Sequence, residues 1–292
     1  MMNKFKLLPC LALILLGLQF ACAQKPSSTV VPQATDWTQV NTAVAKGKID
    51  ALEVTDNQYG RKRKIWVYLP AGYNASSAGA YPLIISFDGQ DYINDIPAPT
   101  ILDNLIAAKK IAPTVQVFVD NSEDRLGDLA NHQKFADFLT KDLVPWIRKN
   151  YHVTTKADET IVCGYSAGGL GASYVAYRYP SLFGKVLSQS GAYWRGNEGS
   201  AGPEWLTSQY ETSPKLPIKF YIVVGGAETM KNASGKSMIE TNRHLRDVLL
   251  AKGYEVGYLE VPGGGHMFTF VFPPTLTPRR RAMNLISSGI EQ

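Results

Sequence analysis

The sequence predicts an α/β fold: one domain on a mostly parallel central sheet, with helices on both faces. Three observations lead there. From Tyr81 onward, short strand-like runs alternate with stretches of helical spacing, the order expected of β-α-β units. Most of those runs are apolar throughout, as in strands buried on both faces. One of them, Thr160 to Cys163, leads straight into Gly164-Tyr165-Ser166-Ala167-Gly168, a G-x-S-x-G turn that continues as helix.

Residues 1–23 read as a targeting segment. Lys4 and Lys6 give a positive start, Leu7 to Phe20 an apolar stretch, and Ala21-Cys22-Ala23 a cleavage site. The apolar stretch is short for a membrane span. Acylation of Cys22 is the alternative, but Gln19 stands where such signals usually carry leucine, so cleavage after Ala23 is favoured. The expectation is an exported protein, periplasmic or secreted, with no transmembrane segment in the mature chain. Residues 24–42 are a flexible leader rich in Ser, Thr, Pro and Gln, and 43–292 form the domain. That length buries a sizeable core without staples. Of three cysteines only Cys163 survives cleavage, so no intrachain disulfide is expected, and Cys163 reads as a small buried hydrophobe. The net charge is +5, and the basic residues are mostly scattered. The runs Arg61–Lys64 and Arg279–Arg281 read as solvated faces. Neither is interleaved with aromatics, so no nucleic acid is expected.

In chain order, Ile49 to Thr55 and Lys64 to Leu69 are strands around a turn at Gln58-Tyr59-Gly60, followed by a loop from Pro70 to Gly79. Tyr81 to Phe87 is a buried strand ending at Asp88-Gly89-Gln90. Ile101, Leu102, Leu105 and Ile106 have helical spacing, and Val115 to Val119 is the next buried strand. Phe135, Phe138, Leu139, Leu143, Trp146 and Ile147 recur at i, i+3 and i+4, the clearest amphipathic helix in the chain. After the Ser166 strand and helix come a strand from Lys185 to Gly191 and one from Lys219 to Val224. A helix through Leu245, Val248 and Leu249 stops at Gly253, and the last strand, Val256 to Val261, runs into Pro262-Gly-Gly-Gly-His266.

A serine on a sharp strand-to-helix turn is a candidate nucleophile; the plainer reading is a Gly-rich packing turn. The hydroxyl needs a base, and the base an orienting carboxylate. In α/β-hydrolases these arrive in the order Ser, acid, His, each after a strand. His266, in the Gly-rich loop after the last strand, fits the base; the alternative is a loop histidine capping backbone groups. His132, His152 and His244 lie in or beside helices and fit less well. Glu228 is the first carboxylate after Val224 and the candidate acid, although a Ser-His pair alone can suffice. Two N–H donors should face the developing oxyanion: Ala167 behind the nucleophile, and Gly89 or Gln90 after the Tyr81–Phe87 strand.

Assembled over about residues 43–266, these features resemble the enterochelin (enterobactin) esterase branch of the putative esterase family of α/β-hydrolases. The resemblance is carried by Gly47, Arg63, Val67-Tyr68-Leu69-Pro70, Phe87-Asp-Gly-Gln90 and Ile101 to Ile106. It continues through Val119-Asp120, Arg125, Asp128-Leu129, Pro145-Trp146, Gly164 to Leu170, Leu187 to Gly191, Tyr193-Trp194, Asn242-Arg243 and Gly264-Gly265-His266. It implies ester hydrolysis by Ser166 and His266, with Gly89/Gln90 as oxyanion loop. It also implies Arg125 near an anionic catecholate, with an ion pair to Asp124 or Asp128 as the alternative. Trp194 would be an aromatic wall, with core packing as the alternative, and Tyr165 a further substrate-binding residue. After His266 the chain departs from the family pattern: Met267-Phe-Thr-Phe270 leads into Pro273-Pro274. The resemblance is to short exported members, so the extra N-terminal domain of the cytoplasmic enterochelin esterases is not expected here.

The expected activity is therefore that of an exported serine esterase, acting on an ester or lactone of catecholate-siderophore type. A feruloyl or acetyl carbohydrate esterase and an acyltransferase using the same residues remain as alternatives. The partner expected is a small-molecule ester, on a monomer. Nothing matches H-E-x-x-H, C-x-x-C, a P-loop or a dinucleotide glycine fingerprint, so neither metal nor cofactor is expected.

Overall fold

Alternating side chains open the sheet. β1 (Lys48–Asp56) and β2 (Arg61–Leu69) pair antiparallel, Lys48 opposite Leu69 and Asp56 opposite Arg61, around the turn through Gly60. β3 (Leu83–Ser86), β4 (Val115–Val119), β5 (Thr160–Tyr165), β6 (Lys185–Gln189), β7 (Lys219–Gly225) and β8 (Glu255–Val261) follow. They form one eight-stranded sheet in the order β1-β2-β4-β3-β5-β6-β7-β8, antiparallel at β1-β2-β4 and parallel from β4 to β8. Every residue of β4 and β5 is buried, which is why those runs show no alternation. The structure is a computed structural model and describes residues 37–130, 132–197, 203–232 and 234–266. The targeting segment, most of the leader and the chain after His266 lie outside the described residues.

Both faces are covered. On one side Tyr92 of α1 (Gly89–Asn94) and Leu102 of α2 (Ala98–Ala107) pack with Phe118 and Cys163. On the other lies the larger core, with Leu129 of α3 (Arg125–Leu129) and Leu170 of α6 (Ala167–Arg178). Tyr210 of α7 (Trp205–Thr212) and Leu245 of α8 (Met238–Ala251) join that core. Cys163 is buried, as its small apolar character suggests, and burial pushes its thiol pKa up. The short helices α1, α3 and α7 were not apparent from periodicity, since five to eight residues are too few to establish it.

Three elements differ from expectation. The amphipathic helix is α4 (Gln133–Asp137), a π turn (Phe138–Leu143) and α5 (Val144–Asn150) in unbroken succession. The Val144 N–H reaches back to the Leu139 carbonyl, five residues away, and Pro145 has no N–H to donate and a ring that would clash with the carbonyl of Lys141 in a regular helix. The wide turn shifts the buried stripe, so Val144 is buried and Trp146 only partly. β6 ends at Gln189, short of the expected Gly191, because Ser190 turns into the left-handed region with φ 47°. Finally, the basic run Arg61–Lys64 is not a solvated face throughout. Strand alternation turns Lys62 and Lys64 outward and buries Arg63, which donates to Asp56 at 2.9 Å and 3.0 Å and to both carboxylate oxygens of Asp128.

Candidate active site

The turn after β5 is held in a conformation few residues adopt. Ser166 has φ 56° and ψ −116°, and α6 starts at the next residue. The strand and helix cross so tightly that a Cβ on Gly164 would lie 2.4 Å from the carbonyl carbon of Gly168. The Ser166 N–H donates to the Gln189 carbonyl at 2.8 Å, and the Ser166 carbonyl accepts from the Ala192 N–H at 2.9 Å. Both backbone groups of the serine are thus fixed by the chain leaving β6, which leaves its hydroxyl at the rim of the sheet.

Two further loops meet it. The turn after β7 and the loop after β8 are stitched together, Gly226 N–H to the Val261 carbonyl and Ala227 N–H to the Gly264 carbonyl, each at 2.8 Å. This brings Glu228 and His266 to Ser166. His266 Nε2 lies 3.1 Å from Ser166 Oγ, and its Nδ1 lies 2.6 Å from Glu228 Oε2. The Glu228 carboxylate is buried, its side chain 1 % exposed, and its other oxygen accepts from the Ser190 hydroxyl and, at 2.8 Å, from the Gly225 N–H. A buried charge with donors on both oxygens is held in one orientation, and so is the ring hydrogen-bonded to it. The His266 side chain is 41 % exposed, its ring 4.8 Å from that of Tyr165. Burial, and then the charge of Glu228, push the Tyr165 phenol well up, so it stays neutral.

The expected oxyanion donors sit at two helix starts. Ala167 is the first residue of α6, and Gly89 and Gln90 are the first two of α1, positions where N–H groups lack intrahelical acceptors. The two turns abut: a Cβ on Gly168 would lie 3.1 Å from the Asp88 carboxylate. Asp88 itself is left-handed, φ 55°, with its N–H on the Asn121 side chain at 2.9 Å.

Arg125 pairs with neither Asp124 nor Asp128. Its Nε and Nη2 donate to the two oxygens of Asp88, each at 2.7 Å, and Nη2 also reaches the Tyr165 carbonyl at 3.1 Å. Burial works against its charge, but the bonds and charge of Asp88 outweigh that and hold its pKa above the ordinary guanidinium value. Asp124 instead caps α3, and Asp128 serves Arg63. Trp194 is partly buried against the larger core, with the Arg195 guanidinium 4.6 Å from its ring centre, so core packing describes it better than an open aromatic wall. Ser190 and Asp88 lie in stretches that carry the resemblance but drew no role from the sequence, and Arg195 did not stand out; the polar Ser188-Gln189-Ser190 closing a strand was the available signal for the first. Of the other histidines, His244 pairs with Glu204, and His152 has a buried Nε2 without a partner. Among the described residues no three His, Cys, Asp or Glu side chains are grouped to hold a metal, and no helix is long and apolar enough to cross a membrane.

The chain matches the family model described as Putative esterase over residues 57–283. It is 26% identical over 267 residues to the iron(III) enterobactin esterase of Dickeya dadantii, covering 86% of this chain and 58% of that protein. It is 25% identical over 263 residues to an endo-1,4-beta-xylanase/feruloyl esterase of Xylanibacter ruminicola, covering 85% of this chain and 33% of that one. Both relatives are thus considerably longer than the segment they share with it. In fold it is similar to the crystal structure of the enterobactin esterase from Shigella flexneri, with a TM-score of 0.72 at 22% identity over 89% of this chain and 64% of that one. The family match spans most of the sequence, so the chain belongs to the Putative esterase family.

Proposed function

We propose that this protein is a serine esterase working through an acyl-enzyme, with Ser166 as nucleophile, His266 as base and Glu228 as orienting acid. One observation carries the reading: a serine, an imidazole and a buried carboxylate from three separate loops stand in hydrogen-bonded series at 3.1 Å and 2.6 Å. Glu228 accepts a hydrogen bond from the Nδ1–H, which keeps the proton on Nδ1 and leaves Nε2 with its lone pair toward Ser166. Attack on the ester carbonyl transfers the hydroxyl proton to Nε2, and the oxyanion is met by the N–H of Ala167 and of Gly89 or Gln90. Collapse expels the alcohol, protonated by the imidazolium; water then repeats the sequence on the acyl-enzyme. The names of the relatives favour a catecholate-siderophore lactone as substrate. A feruloyl or acetyl carbohydrate ester is the second reading, favoured by the similarity to the xylanase/feruloyl esterase over 85% of this chain. An acyltransferase would differ only in the final acceptor. The leading residues support export, and a mature chain starting at Gln24, read by intact mass, is the expected product.

Hydrolysis of iron-free and ferric enterobactin, feruloylated and acetylated xylan fragments and simple aryl esters, with and without an acceptor alcohol, tests the reading. An organophosphonate should label Ser166, and Ser166→Ala should lose all but about a thousandth of the activity while remaining folded. Labelling elsewhere, or an active Ser166→Ala, would sink the proposal.

A further inference from the structure

Two arginines are tied to the turn at Ser166, Arg125 by its guanidinium and Arg195 by its main chain. Arg125 is bonded to the carbonyl of Tyr165, the residue before Ser166. Arg195 ends the turn that begins at Ala192, whose N–H donates to the Ser166 carbonyl, and its own N–H closes that turn on the Ala192 carbonyl at 3.1 Å. They differ in what their side chains hold. Both carboxylate oxygens of Asp88 are taken by Arg125. Arg195 has no carboxylate partner among the described residues, and its Nε is buried without an acceptor.

That arrangement is costly. A buried donor left unpaired loses its hydration with no return. Burial lowers the Arg195 pKa, and the charge of Arg125 lowers it further. The ring centre of Trp194, 4.6 Å from the guanidinium carbon, gives the charge a π face but no hydrogen-bond acceptor. An anion bound at Arg195 would relieve both the unpaired donor and the like-charge repulsion, and a planar fork suits a pair of oxygens.

We propose that Arg195 is the residue that reads charge on the substrate. The ester hydrolysed here then carries a pair of anionic oxygens, as in a carboxylate or an iron-bound catecholate. Arg125 is a positioning residue that ties the Asp88 turn to the Ser166 turn. This rests on the esterase reading and names its substrate class.

The test compares para-nitrophenyl butyrate with mono-para-nitrophenyl succinate, the same length of acyl chain without and with a carboxylate, and adds a catechol-bearing ester saturated with ferric ion. Hydrolysis of the butyrate ester by the unaltered protein is the control that separates a failed esterase reading from a failed Arg195 proposal. Arg195→Gln should cost an anionic ester at least about tenfold more in kcat/KM than the butyrate ester, mainly through KM, with Arg195→Lys restoring part. Arg125→Gln should lower kcat for charged and neutral esters by one common factor. A selective loss with either anion upholds the proposal, and the larger of the two identifies the chemistry read. Equal losses on all esters in Arg195→Gln, or a charge-selective loss in Arg125→Gln instead, would overturn it.

Discussion

At the scale of single residues, the Ser190 hydroxyl donates to the carboxylate that orients His266, and it reaches that position only because Ser190 turns left-handed just past β6. If Glu228 sets the imidazole tautomer, Glu228→Gln should lower kcat on the order of a thousandfold with KM little changed. Ser190→Ala should lose about tenfold, since Gly225 N–H still holds the same oxygen. A near-normal kcat in Glu228→Gln would show that the Ser-His pair suffices. Ser166, Glu228 and His266 were legible as candidates because each is the first residue of its chemical type after a strand. The partner of Arg125 was not: Asp88 lies 37 positions away, and only the abutting of two turns makes them neighbours.

Among the elements, α8 has the most explicit start. Ser237 accepts from the Glu240 N–H while the Glu240 carboxylate accepts from the Ser237 N–H at 2.6 Å, a reciprocal cap. Ser237→Ala should cost about 1 kcal/mol of stability, read in thermal or urea unfolding. Lys231 first, and then the Ser237 backbone and hydroxyl, hold the Glu240 pKa at about 2, below its ordinary 4.5. A depressed carboxylate stabilises the fold above its unfolded pKa and loses that contribution as pH falls through the folded one. The melting-temperature deficit of Glu240→Gln should therefore be full at neutral pH and shrink from about pH 4.5 toward 2; a deficit unchanged across that range would contradict the cap. The periodicity that marked the helix through Phe135 and Ile147 was sound, yet it placed Trp146 in the core. Nothing in apolar spacing discloses a π turn, although Pro145 is its local cause.

At the scale of the whole molecule, Arg63 joins the antiparallel edge of the sheet to the α3 region. Its guanidinium lies between Asp56 and Asp128, 4.8 Å from the Phe138 ring centre, and Asp128 also accepts from Asn121, whose oxygen holds the Asp88 N–H. A buried ion pair stripped of one member leaves an uncompensated charge, so Arg63→Met should destabilise the protein by about 3–5 kcal/mol in denaturant unfolding. A loss below about 1 kcal/mol would show the group to be effectively solvated. The sheet itself was readable because buried parallel strands leave continuous apolar runs and Gly-x-Ser-x-Gly marks one loop among them. The burial of Arg63 was not, since charge composition alone does not say which side of a strand meets an aspartate.

The wide turn at Phe138–Leu143 holds one residue more than a regular helical turn, and so reconciles the apolar stripe before it with the one after it. Removing one residue from it would bring the Val144 N–H four residues from its acceptor instead of five, and Val144 and Ile147 would keep their places in the core. Adding one residue to regular helix on either side would instead rotate every side chain beyond it by about 100° about the axis, so this stretch should bear a loss of length better than a gain.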